Sequence, residues 1–470
     1  MIPVLRVDYP ELSIVQHFQS LAEGESVCLG LQFAFQQYYL PDQPEVSLLA
    51  VVVVANNAGQ LQLSATVGEP SENILAELHT LDANPQAIEG WCALVGWPWF
   101  IASSPIVLTP IAIPKPWGQE IWYTGIEERG QSLVAAQGRS VPLPWLMAVA
   151  PQYWVQGQQH QINLLKILDP LPEPIYGDLY FELHEEKQEV YVVTNIDEAA
   201  WPSAEGGIRF GFKEAKRSEY DSADSFKQAY LNKVNAYRAV RKDIDDLIDD
   251  LRKRDGVALN APVSASQQKL WLQDIPQALL EKEKQTRTAM DAFVAVKPLS
   301  LGDVVKVPCY TPHSLMHGVR TVEFQTPVYE RKILSFAQKV LTQTHWDTQA
   351  AVDIMDVEAP VAAPLRELHT DTHTCLEEIV DFDDFTVLRL TLAPQSQYRF
   401  EKACAYSLLM SLSAGVLIND VTLTAEQAVM MPNGLVSRIV NPSDKEPAIV
   451  LISIPKVSDQ SASLGAESEA

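Results

Sequence analysis

The feature that most narrows the fold of this chain is a change of hydrophobic period. Between residues 105 and 220 short apolar runs are separated by proline and glycine, the texture of a sandwich or barrel. At residues 222–254 the period becomes helical: Phe226, Tyr230, Val234, Tyr237, Val240, Ile244, Leu247, Ile248 and Leu251 recur at three and four. Ser222 or Asp221 would cap that helix and Gly256 would end it. A second, more charged helical stretch is expected over roughly 266–293, and strands resume at Leu301. The pattern predicts a mainly β protein with a helical insertion. The expected domains are 1–105, β-rich and without visible chemistry; 106–220 with 296–350, carrying the site; 221–295, helical; 351–457, a second β domain; and 458–470, a disordered polar tail. The aromatic cluster EGWCALVGWPWF (Glu89–Phe100) reads as a packing surface, because no charged partner is interleaved with its rings.

Candidate chemistry lies in GDLYFELHEEKQEVYVV, residues 177–193. Leu179, Phe181 and Leu183 fall on one face of a period-two strand while Tyr180, Glu182 and His184 fall on the other, and a second strand begins with Glu189. Downstream, GDVVKVPCYTPH puts a turn at Gly302-Asp303, a break at Pro308, and His313 at the start of the next strand. A borderline divalent ion takes imidazole and carboxylate donors, which alternating strands can deliver to one interior. The spacings E-x-H-x4-E and GD-x4-P-x3-PH resemble the two cupin motifs, with Glu182 where the first histidine usually stands. The fold this resemblance implies is a pair of cupin domains in tandem, jelly-roll barrels or sandwiches.

The flanking segments narrow the resemblance to the type I mannose-6-phosphate isomerases. IPKPWGQEIW (Ile113–Trp122), NLLKILDP (Asn163–Pro170), FELH (Phe181–His184), KQEVYVV (Lys187–Val193), EGGIRFGF (Glu205–Phe212) and TPVYERKI (Thr326–Ile333) are similar to that family's segments, in order. The resemblance implies one divalent metal held by Glu182, His184, Glu189 and His313. It implies a sugar-phosphate pocket lined by Lys187 and Arg331, with Lys166 a weaker candidate. The activity implied is aldose–ketose interconversion of a hexose phosphate through an enediol, and only the proton-transferring base has no candidate. Zinc is the first expectation for the metal. The family has a glutamine at the position of Glu182, and a second carboxylate brings manganese or iron into consideration. A cupin that binds a sugar or partner without catalysis, and another metal-dependent cupin enzyme such as a dioxygenase, are the alternatives.

Composition sets the remaining expectations. A formal charge of −25 over 470 residues disfavours nucleic acid and anionic membranes as partners. No apolar run of membrane-spanning length and no leader pattern stand in the sequence, so a cytoplasmic protein is expected. Five scattered cysteines suggest reduced thiols rather than disulfides or a thiolate metal site. His369 and His373 read as surface residues, His317 as a residue of the rim or one that supports the ligands from behind, and His345-Trp346-Asp347 as packing near the site's mouth. The second β domain is expected to be structural or to form a homodimer.

Overall fold

The computed structural model describes residues 1–360, 364–402 and 404–456, so the expected disordered tail lies outside the described residues. The chain divides into two compact units, one of residues 1–111, 122–165 and 365–470, the other of residues 112–121 and 166–364.

The first unit contains a five-stranded sheet in the order Val4–Arg6, Ser26–Gln36, Glu45–Asn57, Gln60–Gly68 and Phe100–Ile101. Helices Glu72–Thr80 and Pro85–Val95 pack on it through Leu78, Ile88 and Trp91. Trp91, Trp99 and Phe100 are buried and Trp91 donates to Glu77 Oε2 at 2.8 Å, so the aromatic cluster is core. The same unit holds a nine-stranded sheet from Arg139–Pro142 to Arg366–Thr370, and a four-stranded sheet. Leu390, Leu409, Val429, Ile439 and Ile452 fill the core that they share. Residues 106–142 thus lend three strands, Ile106–Thr109, Leu133–Ala136 and Arg139–Pro142, to the sheet that carries the C-terminal strands.

The second unit is a two-sheet sandwich. Its six-stranded sheet runs Val304–Val307, Glu189–Ile196, Val319–Gln325, Leu164–Pro170, Gly118–Trp122 and Ile111–Lys115. Its five-stranded sheet runs Val294–Leu299, Gly206–Phe212, His313–Leu315, Phe181–Leu183 and Lys332–Ser335. The sheets are open sandwiches and not closed barrels. Trp117, Tyr191, Val305, Ile208, Leu315 and Ile333 form the core to which both sheets contribute.

The helical insertion packs on the five-stranded sheet. Helix Ala223–Arg254 starts where expected: Ser222 accepts a hydrogen bond from the Ser225 amide, and Gly256 follows the helix with φ 68°. Phe226, Tyr230, Val234 and Tyr237 pack with Phe181, Leu183 and Phe212 of the sheet. Burying such side chains contributes about 1.5–3 kcal/mol each, which fixes the register of the short strand Phe181–Leu183. The expected second helix is in fact two, Ala265–Leu272 and Gln277–Asp291, because Pro276 cannot donate to a continuous helix and forms the N-cap of the later one.

Gly177 leads into the site strand, and a Cβ there would be driven into the Leu171 carbonyl oxygen, which is backbone and cannot yield. Gly177→Ala is therefore expected to cost about 1–3 kcal/mol or more of folding stability. A urea titration that found the variant as stable as the parent would contradict this close approach.

Candidate metal centre

Because Phe181 and Leu183 are committed to the helical side, Glu182 between them faces the interior of the sandwich. Antiparallel pairing places it directly opposite His313, the first residue of the strand His313–Leu315. His184 follows just beyond the end of the short strand. Glu189 opens the strand Glu189–Ile196 on the other sheet, paired with Val307 and Gln325. Two sheets and two separate chain segments thereby bring together His184, Glu189 and His313, all buried, with ligand atoms within 4.8 Å of one another.

The proton inventory of this cluster is informative. His184 Nδ1 is 2.9 Å from the Glu330 carbonyl oxygen and His313 Nδ1 is 3.0 Å from that of Thr311. A carbonyl only accepts, so both Nδ1 atoms carry hydrogen and a neutral ring turns a bare Nε2 lone pair inward. Those lone pairs meet the Glu189 carboxylate, His184 Nε2 at 3.4 Å from Oε1 and His313 Nε2 at 3.1 Å from Oε2. Lone pair facing lone pair is repulsive unless a proton or a metal cation lies between them. Burial, and after it Lys187, holds the His184 imidazole well below its ordinary value of 6.5, which disfavours the proton. His184 Nε2 and Glu182 Oε2 are also buried without a hydrogen-bond partner. Donors of this kind, with Nδ1–H anchored on backbone carbonyls, fit a divalent ion.

Around Glu189 the charges are closely balanced. Lys187 Nζ is 2.9 Å from its Oε1, and the Tyr191 hydroxyl donates to its Oε2 at 2.6 Å. Burial would raise the Glu189 pKa, but Lys187, His184 and His313 outweigh it and hold the carboxyl well below its usual range. Burial first, then Glu189, pushes Glu323 well above that range. Lys166 Nζ lies 3.3 Å from Glu323 Oε1, and Lys115 Nζ lies 3.1 Å from Glu120 Oε2. Burial would lower the Lys166 pKa, yet Glu120, Glu323 and Glu189 together raise it.

Of the residues singled out from the sequence, His184, Glu189 and His313 form the close cluster and Lys187 touches it. Glu182 stands beside it, its Oε2 3.9 Å from Arg331 Nε. Arg331 lies over the Tyr180 ring, 4.7 Å from its centroid, and donates to Thr342 at 2.6 Å. His317 is buried, bonded to Asp178 at 2.8 Å and stacked on Trp201, so it is not a rim residue. His369 and His373 are exposed, and His369 is on a strand rather than a helix. His345 is exposed while Trp346 packs against Tyr237. The five cysteines are free, Cys28 and Cys92 buried and the others half-buried. Sequence reading missed Tyr191, Glu323, Lys115 and Glu120. The first two sit at period two, in EVYVV and TVEFQ, and a charged residue alternating within an otherwise apolar strand was the available signal.

No protein-family model matches the sequence, and no curated protein matches it. Solved structures do. Mannose 6-phosphate isomerase from Bacillus subtilis superposes with a TM-score of 0.52 at 12% identity, over 74% of this chain and 99% of that one. The enzyme from Salmonella typhimurium, bound to its substrate fructose 6-phosphate and to zinc, superposes with 0.52 at 11% identity, over 75% of this chain and 100% of that one. A zinc-bound mannose 6-phosphate isomerase gives the same values. The fold is similar to that of the mannose 6-phosphate isomerases. At this identity the likeness concerns the fold. No helix among the described residues is long and apolar enough to cross a membrane.

The depressed His184 pKa has a consequence for stability. Below its ordinary pKa of 6.5 the unfolded chain takes a proton on this ring that the folded chain refuses, so this contribution is complete above pH 6.5 and falls as pH drops through it. Urea titrations of protein stripped of metal should show about 1 kcal/mol lost between pH 6.5 and 5.5 from this residue. His184→Gln should flatten that limb; an unchanged pH profile would contradict a ring buried neutral.

Proposed function

We propose that this protein is a cytoplasmic, metal-dependent aldose–ketose isomerase acting on a hexose phosphate of the mannose 6-phosphate/fructose 6-phosphate type. The observation that carries the reading is the pair of inward Nε2 lone pairs closing on Glu189 inside a sandwich similar to those isomerases. Glu182, His184, Glu189 and His313 would hold one divalent ion, zinc first and manganese or iron as alternatives. Bound there, the ion would supply polarisation of the sugar carbonyl and charge stabilisation next to it.

The remaining roles belong to side chains. Lys187 and Arg331 are the cations that would engage the sugar phosphate, with Lys166, paired with Glu323, the weaker candidate. Glu323, buried and with its pKa raised, is suited to carry the proton that moves between C1 and C2: ionised, the form that Lys166 at 3.3 Å favours, it takes the proton from one carbon, and protonated it returns it to the other. The chemistry asks for one group that exchanges a proton reversibly without leaving for solvent, and a buried carboxyl with a raised pKa meets that requirement.

Purified protein is expected to contain about one divalent ion per chain and to interconvert mannose 6-phosphate with fructose 6-phosphate. His313→Ala should weaken metal binding by about 100-fold or more, because it removes an inner ligand where even outer partners are worth 10–100-fold. Equal metal content in parent and variant would remove the basis of the reading. Glu323→Gln should retain the metal and lose about 10²–10⁴-fold in kcat. Loaded protein without turnover on any hexose phosphate would favour a sugar-binding protein, and oxygen consumption would favour a dioxygenase.

A further inference from the structure

Two carboxylates suited to the metal also face the two cations suited to a phosphate. Glu189 Oε1 is shared between His184 Nε2 at 3.4 Å and Lys187 Nζ at 2.9 Å. Glu182 has no hydrogen bond at its buried Oε2, whose nearest cation is Arg331 Nε at 3.9 Å. The guanidinium itself is held independently of Glu182, by Thr342 and by the Tyr180 ring. Strand pairing puts Glu182 opposite His313 on one side, and opposite Ile333, two residues after Arg331, on the other. This one side chain therefore stands between the metal cluster and the arginine.

We propose that Glu182 is shared between the bound metal and Arg331, so that metal loading frees Arg331 to take the substrate's phosphate. The inference rests on the functional reading above and adds to it a coupling between the two ligands. A carboxylate within 4 Å cancels much of the charge that a guanidinium offers to an anion. A divalent ion attracts that carboxylate more strongly than a single positive charge does. Once its charge is neutralised by the ion, Arg331, still positioned by Thr342 and Tyr180, faces an anion with its full charge. A neutral glutamine at position 182 could still ligate a metal through its carbonyl oxygen but would not mask Arg331. The coupling is therefore specific to the carboxylate. Linkage makes it reciprocal, so phosphate must tighten the metal by the same factor as the metal tightens phosphate.

The test is calorimetric titration of inorganic phosphate into full-length protein, either stripped by a chelator or loaded with manganese(II) and freed of excess ion. Loading should tighten phosphate by about tenfold, within the usual range of such couplings. Glu182→Gln should bind phosphate in the stripped state about as well as loaded parent protein does, and its dependence on metal should shrink. Arg331→Gln should bind metal normally and lose the phosphate response in both states. Equal phosphate affinity in stripped and loaded parent protein, no phosphate binding by any form, or a metal-dependent response that survives Arg331→Gln would each overturn the proposal. The last would mean that phosphate binds the ion directly. Turnover of mannose 6-phosphate with metal-independent phosphate binding would sink this inference and leave the function standing. Coupled binding without turnover on any hexose phosphate would do the reverse.

Discussion

The second unit is organised around one buried negative charge, the carboxylate of Glu189. Two imidazoles, a lysine and a tyrosine hydroxyl converge on its two oxygens from two chain segments, 184–191 and the strand that starts at His313. A carboxylate removed from water without partners would cost several kcal/mol, so the surrounding sandwich has to supply compensation. Lys187 and the Tyr191 hydroxyl supply that compensation directly, while the two histidine–carbonyl anchors fix Nε2 lone pairs that only a proton or a cation reconciles with the carboxylate.

That constraint extends along the interior. The Glu189 carboxyl is held well below the usual carboxylate range and that of Glu323 well above it, and Lys187, Lys166 and Lys115 pair with Glu189, Glu323 and Glu120. Such a row is poorly suited to a purely structural core, where apolar residues of similar volume would be at least as stable. It is well suited to chemistry that moves a proton beside a fixed charge. Support for the site comes from outside it: Phe181 and Leu183 lock a three-residue strand under the helical insertion, and Glu182 is aimed by its neighbours' burial.

Glu182 separates this chain from a simple copy of the isomerase site. A neutral ligand there would leave the ion's full charge and Arg331 unopposed. The carboxylate makes the site less electropositive and links the two halves of the ligand set. The fold similarity to the mannose 6-phosphate isomerases concerns the architecture alone.

The sequence by itself determined the β–helix–β organisation, the cap at Ser222, the alternation that sets Glu182 apart from Phe181 and Leu183, and the positions of His184, Glu189 and His313 at or next to strand ends. Those features follow from local periodicity and turn chemistry, which act over a few residues. Only the tertiary structure decided that the sheets stay open, that Pro276 divides the charged helical stretch, and that His317 is buried on Asp178. It alone showed that Glu182 leans to Arg331 while the other three ligands close up. Glu323 and Lys166 are 157 residues apart in the chain, and strand pairing brings them within 3.3 Å. Contacts of that range depend on sheet order and register, which the spacing of residues along one strand does not encode.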